Sequence, residues 1–197
     1  PAEEEDGLGR IQYRRGDTWH AFKTRDEVLS RKGQDPETVR VFYNDEGTLD
    51  GDPLTGGPGY YLSWKWTGEF IGASRAIVTW LELIDCQNAK EALDAMRECP
   101  QPTLSWIVAD SEGHIGRQAS GCFPKRAPQH NGVIPLPMWD EANHWQGLMS
   151  TKLLPRIYDP PEGFVAAANE DCNPPDGPEL ITLPVPNWRT LRTDERL

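Results

Sequence analysis

Asn169 closes the stretch GFVAAANED (residues 163–171), a run of small and apolar residues that stops at a neutral amide followed by two acids. Such an amide has two uses. It can open a turn, a role asparagine takes often, or it can face a group that needs an amide donor. Other reactive sets are scarce. No GxSxG, SxxK, HExxH or Walker-type loop occurs, so self-contained hydrolase chemistry is unsupported. Of the four histidines (His20, His114, His130 and His144), the last two sit 14 residues apart in PQHNG and ANHWQG without helical register. Surface or hydrogen-bonded loop positions suit them better than metal ligation. Cys86, Cys99, Cys122 and Cys172 show no CxxC spacing. The first two flank a predicted helix that keeps them too far apart to bridge, and four free thiols are expected.

Composition bounds what such an amide can serve. A length of 197 residues with 37% hydrophobic content supports a real core, while no apolar run approaches the roughly 20 residues that cross a bilayer. The opening PAEEEDGLGR has neither the basic nor the apolar part of a signal peptide. With 31 acids against 20 bases the formal charge is −11, which repels nucleic acid and anionic lipid and excludes both as expected partners. Residues 1–16 are expected as a flexible acidic end and 17–197 as one α+β segment. Eight tryptophans among 18 prolines and 18 glycines describe a loop-rich but heavily packed chain, with Trp64, Trp66, Trp80 and Trp106 expected in its core.

The elements that must position Asn169 follow from pattern. From Asp17 to Trp66, VRVFYND and YYLSWKW alternate around the turn formers of EGTLDGDPLTGGPG, which predicts antiparallel sheet. Asn88 with Glu91 three residues on resembles a capping box, and Ala89, Ala92, Leu93 and Met96 at helical spacing predict a helix of about ten residues ended by Pro100. TLSWIVAD, the turn SEG and HIGRQASG predict a hairpin. Residues 122–162 are rich in Pro, Trp and Gly without periodicity. GFVAAAN then reads as a short strand, and VPNWRTLRTDERL as a helix start capped by Asn187.

WIVADSEGHIGRQASGCFPKR, followed by GVIPLPMWDEANHWQGLMSTKLLPRIYDPPEGFVAAANED, resembles the central stretch of the penicillin acylase (penicillin amidase) family. That family shows an alanine-aspartate before a GNIG-like turn, a Pro-x-Arg, a W-x-G, a leucine-proline, an asparagine- or aspartate-proline, a glycine, and a strand ending in asparagine. The matching residues, in this order, are Ala109, Asp110, Gly113, Ile115, Gly116, Pro124, Arg126, Trp145, Gly147, Leu154, Pro155, Asp159, Pro160, Gly163 and Asn169. The likeness extends less sharply back to about Asp17 and forward to NWRTLRTDERL.

The resemblance implies an N-terminal-nucleophile hydrolase of αββα type. Its members arise from a self-cleaving precursor, whose exposed serine attacks an amide carbonyl with its own α-amino group as base. An asparagine at the position of Asn169 then helps to hold the oxyanion, and an arginine at the position of Arg189 supports it. Arg189 also reads as an ordinary solvated residue, although a cation in a first helical turn is slightly unfavourable and hints at another purpose.

Two departures bear on specificity: His114 replaces the asparagine of the GNIG-like turn, and Ala168 stands where an aromatic residue flanks the asparagine in a well-known member. Pro1 carries no nucleophile, so the chain reads as a middle fragment of the nucleophile-bearing subunit, inactive alone.

The expected whole is a bacterial amidase of linear amides in N-acylated small molecules such as β-lactams or acyl-homoserine lactones, exported to the periplasm or beyond. Its partners are the rest of its own precursor, and no cofactor is required. A structural calcium is possible through Asp176 or Glu179. The rival is a binding module in which the Trp-rich loop 122–162 holds an acylated ligand or a partner chain; the blandest expectation is a fragment that merely exposes normally covered surface.

Overall fold

Residues 2–3, 10–69, 73–128, 130–173, 175, 177, 180 and 188–196 are described by the computed structural model, and the chain divides into two compact units. One comprises residues 1–66 with 134–144, the other 67–133 with 145–197. Residues 12–15, within the stretch expected as an acidic end, form a strand.

Among the described residues of the first unit, every strand pairing is antiparallel. Strands β1 (Ala2–Glu3), β2 (Gln12–Arg15) and β3 (Thr18–Ala21) form one sheet in that order. Strands β4 (Lys23–Leu29), β5 (Glu37–Asn44), β6 (Gly47–Asp50) and β7 (Leu62–Trp64) form a second. The β5–β6 turn is closed by Asn44, whose Oδ1 accepts from the Glu46 N–H at 2.8 Å. Gly47 (φ 130°) is required there, because a Cβ would stand 2.5 Å from the Trp64 carbonyl oxygen. Between β6 and β7, Asp52 caps the single turn α1 (Pro53–Gly56) by accepting from the Leu54 N–H. The core is small: Ile11 and Phe42 are buried, with Phe22, Leu49 and Tyr61 packed against them.

Helices and a three-stranded sheet make the second unit. α2 (Ala73–Glu82) and α3 (Ala89–Arg97) precede the hairpin β8 (Ser105–Ala109) and β9 (Ile115–Ala119). β10 (Arg156–Tyr158) pairs with the free edge of β9, and α4 (Trp188–Asp194) ends the described chain.

α3 starts where the capping pattern places it: Asn88 Oδ1 accepts from the Glu91 N–H at 2.9 Å, and Glu91 reaches back to the Gln87 N–H at 2.8 Å. Its Leu93 and Met96 are fully buried. Leu93 sits over Gly116 of β9, where a Cβ would meet its Cδ1 at 2.5 Å. Ala76 of α2 joins Met96 and Cys99 in a core cluster, with Leu83 and Trp106 packed against it.

Two expectations need correction. Residues 163–168 are not a strand; they run as irregular backbone, and the third strand of the sheet is Arg156–Tyr158 instead. The Ala166 carbonyl and the Ala168 N–H find their partners in side chains and not in a ladder. Three of the four tryptophans expected in the core are exposed: Trp64 by 64%, Trp66 by 63% and Trp80 by 43%. Trp64 lies on the edge strand β7, where its indole N–H donates to Asp50. Trp80 is exposed on α2 together with Ile77, Val78 and Leu81, while Ala76 and Thr79 of the same helix are buried. Trp106 alone packs, with its Nε1 donating to Ser120 Oγ at 2.8 Å. The Asn187 cap lies outside the described residues.

Candidate functional site

Asn169 has a left-handed backbone, φ 65°, a conformation that asparagine tolerates better than other residues with a Cβ. The bend throws its side chain to the surface. There Arg189 Nη1, from the first turn of α4, donates to Asn169 Oδ1 at 3.3 Å. The two residues singled out in the sequence are therefore in contact although twenty positions apart. With the carbonyl end of the amide taken up by a cation, the Nδ2 end is turned away from Arg189. Among the described residues, it has no hydrogen-bond acceptor.

Beneath this exposed pair lies a buried one that the sequence reading missed. Arg117, on β9, donates from Nη1 to the Ala166 carbonyl at 2.8 Å and to Glu170 Oε1 at 2.5 Å. Glu170 also accepts the Ala168 N–H at 2.6 Å, the Thr190 hydroxyl of α4 at 3.3 Å and the Cys172 thiol at 3.4 Å. The side chains of Arg117 and Glu170 are only 13% and 12% exposed.

Burial alone raises the Glu170 carboxyl, but hydrogen bonds from the Ala168 and Glu170 backbone, Cys172 and Arg117 outweigh it and hold the group at about 2. Burial, aided by the neighbouring Glu170, pushes the Cys172 thiol up to about 11. Nothing in the spacing of these residues marks them, since charged side chains on a strand and in an acidic turn ordinarily face water.

The other polar clusters are occupied with holding backbone. Asp110 accepts the N–H groups of Ala89, Glu112 and His114, which ties the start of α3 to the β8–β9 turn. Asp159 accepts from Ile115 N at 3.0 Å and pairs with His114 Nδ1 at 2.6 Å. This hydrogen bond raises the His114 pKa, while the bond from Ile115 lowers that of Asp159. His114, raised on folding, therefore stabilises the turn fully below about pH 6.5 and loses that contribution as pH climbs through the folded value. An NMR titration is expected to place His114 above the ordinary histidine range, and Asp159→Asn to return it there. An unchanged titration in that variant would refute the pairing.

His144 belongs to the first unit, between Glu46 Oε1 at 3.3 Å and the Met138 carbonyl at 2.9 Å. It lines a cavity of about 160 Å³ with Tyr13, Phe22, Tyr61 and Trp139. Lys65 Nζ holds the other oxygen of Glu46 at 2.7 Å, so that carboxylate is already paired. Among the described residues, no three His, Cys, Asp or Glu side chains converge to hold a metal ion, and Asp176 and Glu179 lie outside them. The four cysteines are free thiols, and among the described residues no helix is long and apolar enough to cross a membrane.

The site is thus a surface amide in contact with an arginine, on an α+β unit with an antiparallel sheet, and such an amide can donate an N–H to a negatively charged oxygen. The chain belongs to the penicillin amidase family, whose model matches residues 2–197. It is 32% identical over 162 residues to the acyl-homoserine lactone acylase QuiP of Pseudomonas fluorescens, covering 81% of this chain and 20% of that protein. It is 26% identical over 161 residues to the penicillin G acylase of Escherichia coli, covering 80% and 18%. Among solved structures, the thermostable penicillin G acylase from Alcaligenes faecalis superposes with a TM-score of 0.76 at 19% identity, over all of this chain and 35% of the other, a likeness of fold. The chain spans about one-fifth of the length of the curated relatives it matches.

Proposed function

We propose that this chain is the part of an N-terminal-nucleophile amidohydrolase that supplies the side-chain half of the oxyanion hole. The observation that carries the reading is the Arg189–Asn169 contact, which takes the amide by its oxygen and leaves Nδ2 to donate. As an amide carbonyl of the substrate is attacked, its oxygen gains negative charge and accepts from Asn169 Nδ2–H. Arg189 polarises that amide and adds a nearby positive charge. Both contributions grow as the charge develops, so they act on the transition state rather than on substrate binding.

The nucleophile and its α-amino base belong to a segment outside residues 1–197, exposed when a precursor is cut. The relatives' names support a linear amide of an N-acylated small molecule as substrate, with an acyl-homoserine lactone or a penicillin as the classes to test. Ala168 beside the donor leaves more room than an aromatic neighbour would, which favours a substrate other than penicillin itself. The remaining proposals are export to the periplasm or beyond and, at most, a structural calcium.

The test is the intact mass and N-terminal residue of the protein made from the complete reading frame, with amine release measured on both substrate classes. Two chains, the larger opening on Ser, Thr or Cys, together with hydrolysis of either amide, are the expected result. A single uncut chain that binds but does not hydrolyse would replace this reading by the binding module.

A further inference from the structure

An oxyanion donor must be held still, yet Asn169 is exposed, sits in a left-handed bend and belongs to no ladder. Its side-chain contact to Arg189, at 3.3 Å, is long. What fixes it lies one residue on. The segment 166–172 curls around a single carboxylate: Glu170 accepts from the residue two before it and the residue two after it. Through Arg117 the same carboxylate is tied to β9, the middle strand of the sheet, and Arg117 also takes the Ala166 carbonyl. Through Thr190 it is tied to α4, next to the arginine that holds the Asn169 amide. Donor and supporting cation are thus both referenced to one buried charge.

We propose that Glu170, paired with Arg117, is the positioning residue of the oxyanion site: it sets the direction of the Asn169 amide and its distance from Arg189 without touching substrate. This rests on the reading of Asn169 as the donor. A charged pair suits the task better than neutral groups. The bonds from Arg117 and the Ala168 N–H are charge-assisted and short, and a buried carboxylate that lost such donors would be left unpaired at high cost. A bend costly to residues other than glycine and asparagine is then held from both sides.

The experiment is steady-state kinetics on the complete polypeptide, comparing wild type, Glu170→Gln, Arg117→Lys, Asn169→Ala and the Asn169→Ala/Glu170→Gln double variant. Glu170→Gln keeps the size of the side chain but removes its charge. Arg117→Lys keeps the charge but loses the planar donor that bridges Ala166 and Glu170. Each is expected to lower kcat about 10- to 100-fold with KM within about twofold, because a misplaced donor weakens only the transition state. In the Asn169→Ala background, Glu170→Gln is expected to change kcat no further, since its effect passes through a donor that is gone.

Further loss of kcat in the double variant would show that Glu170 acts elsewhere and would overturn the proposal. So would wild-type kcat in both folded single variants. Wild-type kcat in Asn169→Ala would instead remove the donor reading and the positioning role with it. Should Glu170→Gln fail to fold, Arg117→Lys and its combination with Asn169→Ala carry the same comparison.

Discussion

Asn169→Ala in the complete polypeptide is expected to lower kcat about 100- to 1,000-fold at nearly unchanged KM. The size follows from what is removed: one neutral donor aimed at charge that appears only in the transition state, a loss worth about 3 to 4 kcal/mol for a preorganised oxyanion donor. Alanine also changes the backbone, since at φ 65° it pays about 1 kcal/mol or more that asparagine largely escapes. Asn169→Gly separates the two effects, because glycine accepts the bend and has no amide. Equal losses in the alanine and glycine variants assign the effect to the amide. Asn169→Asp is expected to be at least as damaging, since a carboxylate pairs with Arg189 and repels the oxyanion. A loss of less than tenfold in the glycine variant would sink the oxyanion role.

How much of this was visible beforehand depended on whether a signal was local. α3 was legible in full, because its cap, its buried stripe of Ala89, Leu93 and Met96 and its terminating proline are neighbours in sequence. The β8–β9 hairpin was legible for the same reason. α2 was not, since Ile77, Val78 and Thr79 form a β-branched run of low helix propensity. It is helical because Ala76 and Thr79 bury one face, and the Thr79 hydroxyl, bonded back to the Arg75 carbonyl, is satisfied where it is buried.

FVAAA imitates a strand, but whether an extended segment joins a ladder depends on what offers it hydrogen bonds, and here these are Arg117 and Glu170. That pair is 53 residues apart in the chain, and neither residue type nor spacing betrays it. The contact between Asn169 and Arg189 was expected only through the family resemblance. Nothing local distinguishes that asparagine from one that starts a turn.

The layer under Arg117 offers the second large effect, on stability rather than turnover. Gly116 precedes Arg117 on β9, and a Cβ there would meet Leu93 Cδ1 at 2.5 Å and the Ile157 carbonyl oxygen at 2.9 Å. Leu93 is fully buried and cannot swing into solvent, and the Ile157 carbonyl belongs to a paired strand. Gly116→Ala is therefore expected to cost about 1 to 3 kcal/mol through overpacking. Leu93→Ala is expected to cost about 2 to 5 kcal/mol through the cavity it leaves.

The two substitutions are complementary in shape, so the double variant should be destabilised by less than the sum of the singles. Rescue stays incomplete because the Ile157 carbonyl remains in the way. Urea unfolding of the three variants at constant slope reads this directly. Strict additivity would mean that α3 does not press on β9 at this point. A sub-additive result would identify Leu93 as the contact that sets the height of α3 over the strand carrying Arg117, so that helix packing and placement of the buried ion pair are one constraint.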